Sequence, residues 1–367
     1  MPKTKNPVCP VDISDDGDQF ENRLNVIQSR LELIKNPYIG GKRDLISFIF
    51  SMIRDNNIAY NSVLDLFCGS AAVSFTAKEL GKNVWANDLM LFCIAGAYTF
   101  LDNKDDKYIS DEEMSYLIQN ENKDRNSFME ENWSVKAYKK KNHRFSVEEC
   151  KSLDNYYANA VEMEASKFYH ALTSIIHYVM DHCHLGGKPN HGRVVAEYNH
   201  RVQHSRNNGA HIPFQRMFNY NHMLNDHVGD VFISCKDAKE VPSMDLMDID
   251  LCYLDPPYGD TQSDYSTLYD VFESYIQQDM VHNEDGKKFL LKKTYVEHFE
   301  DVLRAVQHIP WLVVSYNGES WAKIEDIKDY ISQYRDIVDI GQQSKVYKSR
   351  GRNRAKNPST EYVIIAK

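Results

Sequence analysis

The 367-residue chain predicts an α/β fold: a doubly wound, mostly parallel sheet interrupted by a long helical and loop-rich insert. Three observations carry that expectation. Residues 63–88 read as strand, helix, strand; the same alternation resumes after residue 230; and 149 residues separate Asp88 from Asp237, two positions that close what would otherwise be successive strands. A hydrophobic fraction of 42% is ample for a sizeable core, and the length suits about two domains of roughly 100 to 200 residues.

Taken in order, residues 1–26 are a polar, acidic leader with no apolar stretch of signal-peptide type. Residues 43–55 set Leu45, Phe48, Ile49, Met52 and Ile53 at helical spacing, so an amphipathic helix follows the NPYIGGK turn. VLDLF is short, apolar and rich in branched and aromatic side chains, as a strand buried on both faces is. It runs into Cys68-Gly69-Ser70 and a helical AAVSFTAKEL, with Gly81 as the stop. NVWAND is the next strand and completes a right-handed crossover unit. The longest mainly apolar run, residues 89–101, falls short of the roughly 20 residues a membrane span needs, so a cytoplasmic protein is expected. Downstream, VGDVFISCKDA, DIDLCYLDPPY and PWLVVSYNG each read as a strand running into a loop, with helices expected over 296–307 and 319–334. STEYVIIAK is a final strand, expected antiparallel to the segment around Val346 and Tyr347.

One crossover needs only about 30 residues, so the long gap means an insertion. The expected division is a main domain over 27–104 and 226–367, with the insert over 105–225. Residues 154–182 are helical by pattern and expected to pack on the core. Residues 183–225 are rich in His, Arg, Asn and aromatics, a composition suited to polar recognition, with Arg193, Arg201, Arg206 and Arg216 as candidate contacts. A surface excursion with no ligand is the plainer alternative.

Net charge is −10, which at first reading disfavours a polyanionic partner, but the charges are not evenly spread. Residues 134–144, including Lys139 and Lys140, hold five bases and no acid. Residues 342–356, including Lys348, Arg350, Arg352 and Arg354, hold six bases and no acid. Each island alone reads as well as a solvated face; their recurrence favours a nucleic acid. Seven cysteines without a C-x-x-C pair argue against a disulfide framework or a zinc ribbon. Asp181, His182, Cys183 and His184 match no standard zinc spacing, and no metal is expected.

Two constellations carry chemistry. Asp65-Leu66-Phe67-Cys68-Gly69-Ser70 is a strand-to-helix turn, where a glycine lets the backbone approach a ligand at the carboxyl end of a strand. The G-x-G-x-x-G fingerprint is absent, which disfavours a nicotinamide oxidoreductase. Asp88, 23 residues after Asp65 at the end of the second strand, stands where an acid grips ribose hydroxyls. The more specific constellation is Asp255-Pro256-Pro257-Tyr258. Consecutive prolines stiffen the backbone and remove two donors, so a carboxylate and carbonyls remain to accept from an amine, and the aromatic ring offers a stacking face for a planar base. Tyr265, Tyr269, Phe272 and Tyr275 follow, either covering such a base or packing a helix into the core.

In this order, Asn36-Pro37-Tyr38-Ile39-Gly40-Gly41-Lys42, DLFCGS, ANDLM, Asp237 in ISCKDAKE, DPPY and VVSYNG, the chain resembles the Dam-like adenine-N6 DNA methyltransferases over about residues 36–100 and 230–367. The closing YKSRGRNRAKNPSTEYVIIAK looks like that family's C-terminal hairpin. The resemblance implies a Rossmann-like methyltransferase domain with S-adenosylmethionine as cofactor, double-stranded DNA as substrate, and a cognate restriction endonuclease as functional partner. It places Tyr38, Gly41, Lys42, Asp65, Phe67, Gly69, Ser70, Asp88 and Asp237 around the cofactor, with Asp88 at the ribose, Asp237 near the adenine ring and Lys42 on the methionine carboxylate. One departure is visible: Ala71 stands where the family usually has a second glycine. An RNA adenine methyltransferase, a cytosine-amine DNA methyltransferase and a noncatalytic DNA-binding module are the competing readings.

Overall fold

The computed structural model describes residues 17–34, 38, 40–102, 107–119, 125–134, 145, 147–182, 217, 219–221, 229–244, 246–257, 265–281, 292–345 and 359–367. Its strands are β1 (Ser62–Asp65), β2 (Asn83–Asp88), β3 (Val231–Cys235), β4 (Leu251–Leu254), β5 (Trp311–Asn317), β6 (Ile337–Lys345) and β7 (Ser359–Ala366). They form one seven-stranded sheet in the order β3-β2-β1-β4-β5-β7-β6, with β7 antiparallel to its two neighbours and the other pairings parallel. The expected doubly wound sheet is therefore present. The chain builds outward from β1 in one direction through β2 and β3, then in the other through β4 and β5. That reversal leaves a crevice at the carboxyl ends of β1 and β4, the place where open α/β sheets bind ligands.

Period-two alternation buries both faces of this sheet. Val63, Ala86, Tyr253 and Val313 face a core closed by α1 (Gly17–Ile34), α2 (Ile46–Asp55) and α3 (Ala72–Glu79). Leu64, Trp85, Cys252 and Leu312 face the opposite core, closed by α10 (Lys292–Ala305) and α11 (Ile324–Ser332). Gly81 follows α3 at φ +80 and its amide donates to the Lys78 carbonyl, the helix stop that the sequence predicts. The start of β4 is latched to β1 by Asp250, whose Oδ2 accepts from the amides of Asn61 and Ser62.

A third core is built mainly from helices. It gathers α4 (Leu91–Leu101), α5 (Asp111–Leu117), α6 (Phe128–Trp133), α7 (Val147–Val161), α8 (Ala165–His182) and α9 (Tyr265–Gln277). The helical stretch expected over 154–182 is two helices, broken at residues 162–164, and it packs on α4 as anticipated. Tyr269, Phe272 and Tyr275 are buried in this core, which favours the packing alternative for them. Among the described residues no helix is long and apolar enough to cross a membrane.

Two boundaries differ from expectation. The partner of β7 is Ile337–Lys345, earlier in the chain than Val346 and Tyr347, which lie outside the described residues. Branched Ile337, Val338 and Ile340 supply its strand character, whereas hydropathy alone singled out only β7. The helix expected over 319–334 begins at Ile324, because Asn317 and Glu319 are used in the turn that ends β5.

Candidate active site

At the carboxyl edge, five strand ends present their following residues to the crevice. Asn87, at the end of β2, fastens three of them: its amide nitrogen donates to the carbonyls of Leu66 and Lys236, and its Oδ1 accepts from Ser234 and from the Lys236 amide. The Cys68 amide donates to the Asn87 carbonyl in return. A side-chain amide suits this post because it carries donors and acceptor together. The loops after β1, β2 and β3 thus share one rigid support.

The turn before α2 enters the crevice next. Gly40, at φ +87, reverses the chain in a conformation side chains rarely adopt, and this delivers Lys42 to the interior, where it is 3% exposed. Its ammonium donates to the Gly40 carbonyl at 3.1 Å and to Asp255 Oδ2 at 2.6 Å. Lys42, which the resemblance sets on the cofactor's methionine carboxylate, thus also meets the acid of the Asp-Pro-Pro corner. The physical reason is local: a buried ammonium needs an anion within reach, and the end of β4 supplies one. Gly41 backs onto Ser70, whose Oγ a Cβ at position 41 would meet at 3.1 Å. Gly69 lies against the Tyr38 ring, which a Cβ there would meet at 2.9 Å.

Three carboxylates line the adjoining floor. Asp65, at the end of β1, accepts from Ser74 Oγ at 2.6 Å and from the Ser74 amide at 3.2 Å through Oδ2. Its Oδ1 is buried with no hydrogen-bond partner among the described residues. Burial pushes Asp65 up to about 7; Ser74 opposes this, and neighbouring Asp255 and Asp88 add to it. Asp88 accepts from the Gly69 amide at 2.9 Å and from the Met90 amide at 3.0 Å, and burial pushes it up to about 6 against those donors. Asp237 follows β3, half-buried, and accepts from the Lys239 amide at 3.3 Å.

Tyr38, Gly41, Lys42, Gly69, Ser70, Asp88 and Asp255 therefore meet through neighbouring contacts, and Asp65 lies near enough to Asp255 and Asp88 to be raised by both. Phe67 and Asp237 stand on the same edge, Phe67 leaning on the α10–α11 core. Pro256 is buried and Pro257 partly so. Tyr258 lies outside the described residues, as do Lys139, Lys140, Arg193, Arg201, Arg206, Arg216, Lys348, Arg350, Arg352 and Arg354. Sequence reasoning missed the Lys42–Asp255 pairing, which joins residues 213 apart, and it missed Asn87 and Glu273. For Glu273 a signal exists: it is an acid on the otherwise apolar face formed by Tyr269, Phe272 and Ile276.

The departure at Ala71 has a structural outcome. Ala71 precedes α3 at φ 57 and ψ 20, in the left-handed region, and is buried. The position keeps the conformation a glycine would serve, at a steric cost of roughly 1–2 kcal/mol for an L side chain.

Comparison with known proteins bears on this site. The sequence model of the D12 class N6 adenine-specific DNA methyltransferases matches residues 38–330, most of the chain. The chain is also similar to the Type II methyltransferase M2.HphI of Haemophilus parahaemolyticus, at 23% identity over 351 residues that cover 90% of this chain and 97% of that protein.

Two outcomes are expected. Ala71→Gly relieves the left-handed strain and, after the extra unfolded-state entropy of glycine, should raise stability by about 0.5–1 kcal/mol in urea unfolding; a decrease would show that the methyl contact outweighs the strain. Because Asp65 is raised toward about 7 in the folded protein, the native state holds more protons than the unfolded one above the ordinary carboxylate range. Its contribution to stability then falls as pH rises through that window, so Asp65→Asn should flatten the decline in unfolding midpoint. Parallel midpoint curves for the two proteins would contradict it.

Proposed function

The chain belongs to the D12 class N6 adenine-specific DNA methyltransferase family, and from that membership we propose that it transfers a methyl group from S-adenosylmethionine to the exocyclic N6 amine of adenine within a specific double-stranded DNA site. The observation that carries this reading is the Asp255-Pro256-Pro257 corner at the β1/β4 reversal, held by Lys42. The similarity to a Type II methyltransferase supports a modification role in a restriction-modification system, with a cognate endonuclease as functional partner and the cytoplasm as the place of action.

The pocket residues fit the cofactor. Asp65 offers a buried acceptor oxygen to an ammonium such as that of the methionine moiety, Asp88 offers a carboxylate to ribose hydroxyls, and Gly69 with Gly41 keeps the turn free of side chains. Tyr38, Phe67, Ser70 and Asp237 complete the surround. When bound, S-adenosylmethionine supplies an electrophilic methyl group on a sulfonium.

The remaining work falls to the chain. The adenine amine is a weak nucleophile because its lone pair is delocalised into the ring. Asp255 and the Pro256 carbonyl accept from its two hydrogens, which localises that pair and offsets the positive charge that grows on nitrogen. Lys42 fixes the carboxylate in orientation by engaging Oδ2, so little rearrangement is needed as the charge develops. Tyr258 supplies the stacking face. A base inside a duplex cannot present its amine to such a corner, so it is flipped out at a cost of a few kcal/mol. The insert over 105–225 and the basic islands supply the compensating contacts. Lys345 pairs with Ser359, so β6 ends and β7 begins at the carboxyl edge of the sheet, the edge that carries Asp255. In this reading Arg350, Arg352 and Arg354, bases in an acid-free run of the sequence, meet phosphates, with Lys348 alongside.

Asp255→Ala should lower transfer of labelled methyl to duplex DNA by at least about 100-fold while S-adenosylmethionine still binds. Near wild-type turnover, or wild-type product recovered as methylated cytosine, would overturn the assignment. Replacing Arg350, Arg352 and Arg354 together by Ala should weaken DNA binding about equally for all sequences and reduce the salt slope by about 1 for each phosphate that is no longer neutralised. An unaltered slope would refute the phosphate role.

A further inference from the structure

Helix α9 begins seven residues beyond Tyr258 in the chain and reaches the cofactor side of the pocket through Tyr38 and the Phe92 amide. Two of its residues, one helical turn apart, face that side. Tyr269 is fully buried and stacks on Tyr38, the ring that covers Gly69, with centroids 5.5 Å apart and planes 11° apart. Glu273, 3% exposed, accepts from the Phe92 amide at 2.9 Å in the first turn of α4. That helix has no capping side chain of its own, since its N-cap is Met90. Asp88 accepts from the Met90 amide, so two carboxylates arriving from different elements hold one helix start. One is the proposed ribose acid. The other comes from the helix that follows the catalytic loop, and nothing in the transfer step requires it.

A buried carboxyl is a costly acceptor at a helix end where a serine or threonine would serve. Burial pushes Glu273 up to about 7, with the Phe92 and Leu91 amides opposing. Such a residue acts through where it reaches rather than through its charge. Its Oε1 ties α9 to the segment that begins with Asp88, while Tyr269 ties the same helix to the turn that delivers Lys42 to Asp255.

We propose that Glu273 is a positioning residue that locks the start of α4, and through it Asp88, to α9, so that the cofactor end of the pocket and the helix behind the base-receiving loop become ordered as one unit. This rests on the reading of Asp88 as a cofactor ligand. An amide presents the same carbonyl acceptor as a carboxyl, so Glu273→Gln preserves the tie and Glu273→Leu removes it.

The test is titration of the whole chain with S-adenosylhomocysteine by calorimetry, alongside steady-state kinetics on duplex DNA. Glu273→Leu should raise Kd by about 10-fold or more, with a smaller effect on kcat at saturating cofactor, and Glu273→Gln should restore Kd to within about 3-fold of wild type. A folded Glu273→Leu protein with wild-type Kd, or one altered in kcat alone, overturns the proposal. Should that variant not fold, hydrogen exchange on the wild-type protein decides. Adding S-adenosylhomocysteine should slow exchange in residues 86–94 and 265–277 together, and slowing in 86–94 alone overturns the coupling. Failure of the wild type to bind S-adenosylhomocysteine would instead remove the cofactor reading itself, a result distinct from normal wild-type binding with an indifferent Glu273→Leu.

Discussion

A buried ammonium cannot stand without an anion, and in this protein that requirement joins the two ends of the pocket. Lys42 lies in the turn before α2, and Asp255 follows β4. Holding them at 2.6 Å demands that the α1–α2 layer close over the sheet on one face while β4 takes its place beside β1. Removing Asp255 would take from a buried ammonium its carboxylate partner, a loss that costs more than the intact pair contributes. The pair therefore does more to specify one arrangement than to add stability.

Around it the protein concentrates acids where burial disfavours them. Asp65, Asp88 and Glu273 are all raised, and each is met by backbone amides or a hydroxyl that recover part of the cost. Asp65 Oδ1, unmatched among the described residues, and the left-handed Ala71 belong to the same pattern of local strain held in place by a surrounding core. A sheet packed on both faces can carry such features because a hydrophobic core closes each face. The crevice at the β1/β4 reversal is consequently preorganised: its donors and acceptors are fixed by Asn87, Ser74 and Lys42 rather than by solvent.

Much of the frame was legible in the chain itself. VLDLF, NVWAND and LCYL read as buried strands because a central parallel strand has no polar face to show. Gly81 and the amphipathic stretch before β1 were equally local signals. The helices α5 and α6 were not read, because each is under eight residues and lies in acid-rich sequence whose periodicity is short. The antiparallel partner of β7 was expected around Val346 and Tyr347, just past the described end of β6, since an edge strand alternates polar and apolar side chains weakly and the register of β6 is set by β7.

The sequence by itself determined the identity and order of the pocket motifs, because each is written in consecutive residues whose backbone chemistry is local: a glycine that permits a turn, prolines that remove donors, an acid that ends a strand. Which acid meets which partner was decided only by the tertiary structure. Lys42 chooses Asp255, and Glu273 caps a helix 181 positions away, because electrostatic and hydrogen-bond partners are selected by separation in space, a quantity that no spacing along the chain encodes.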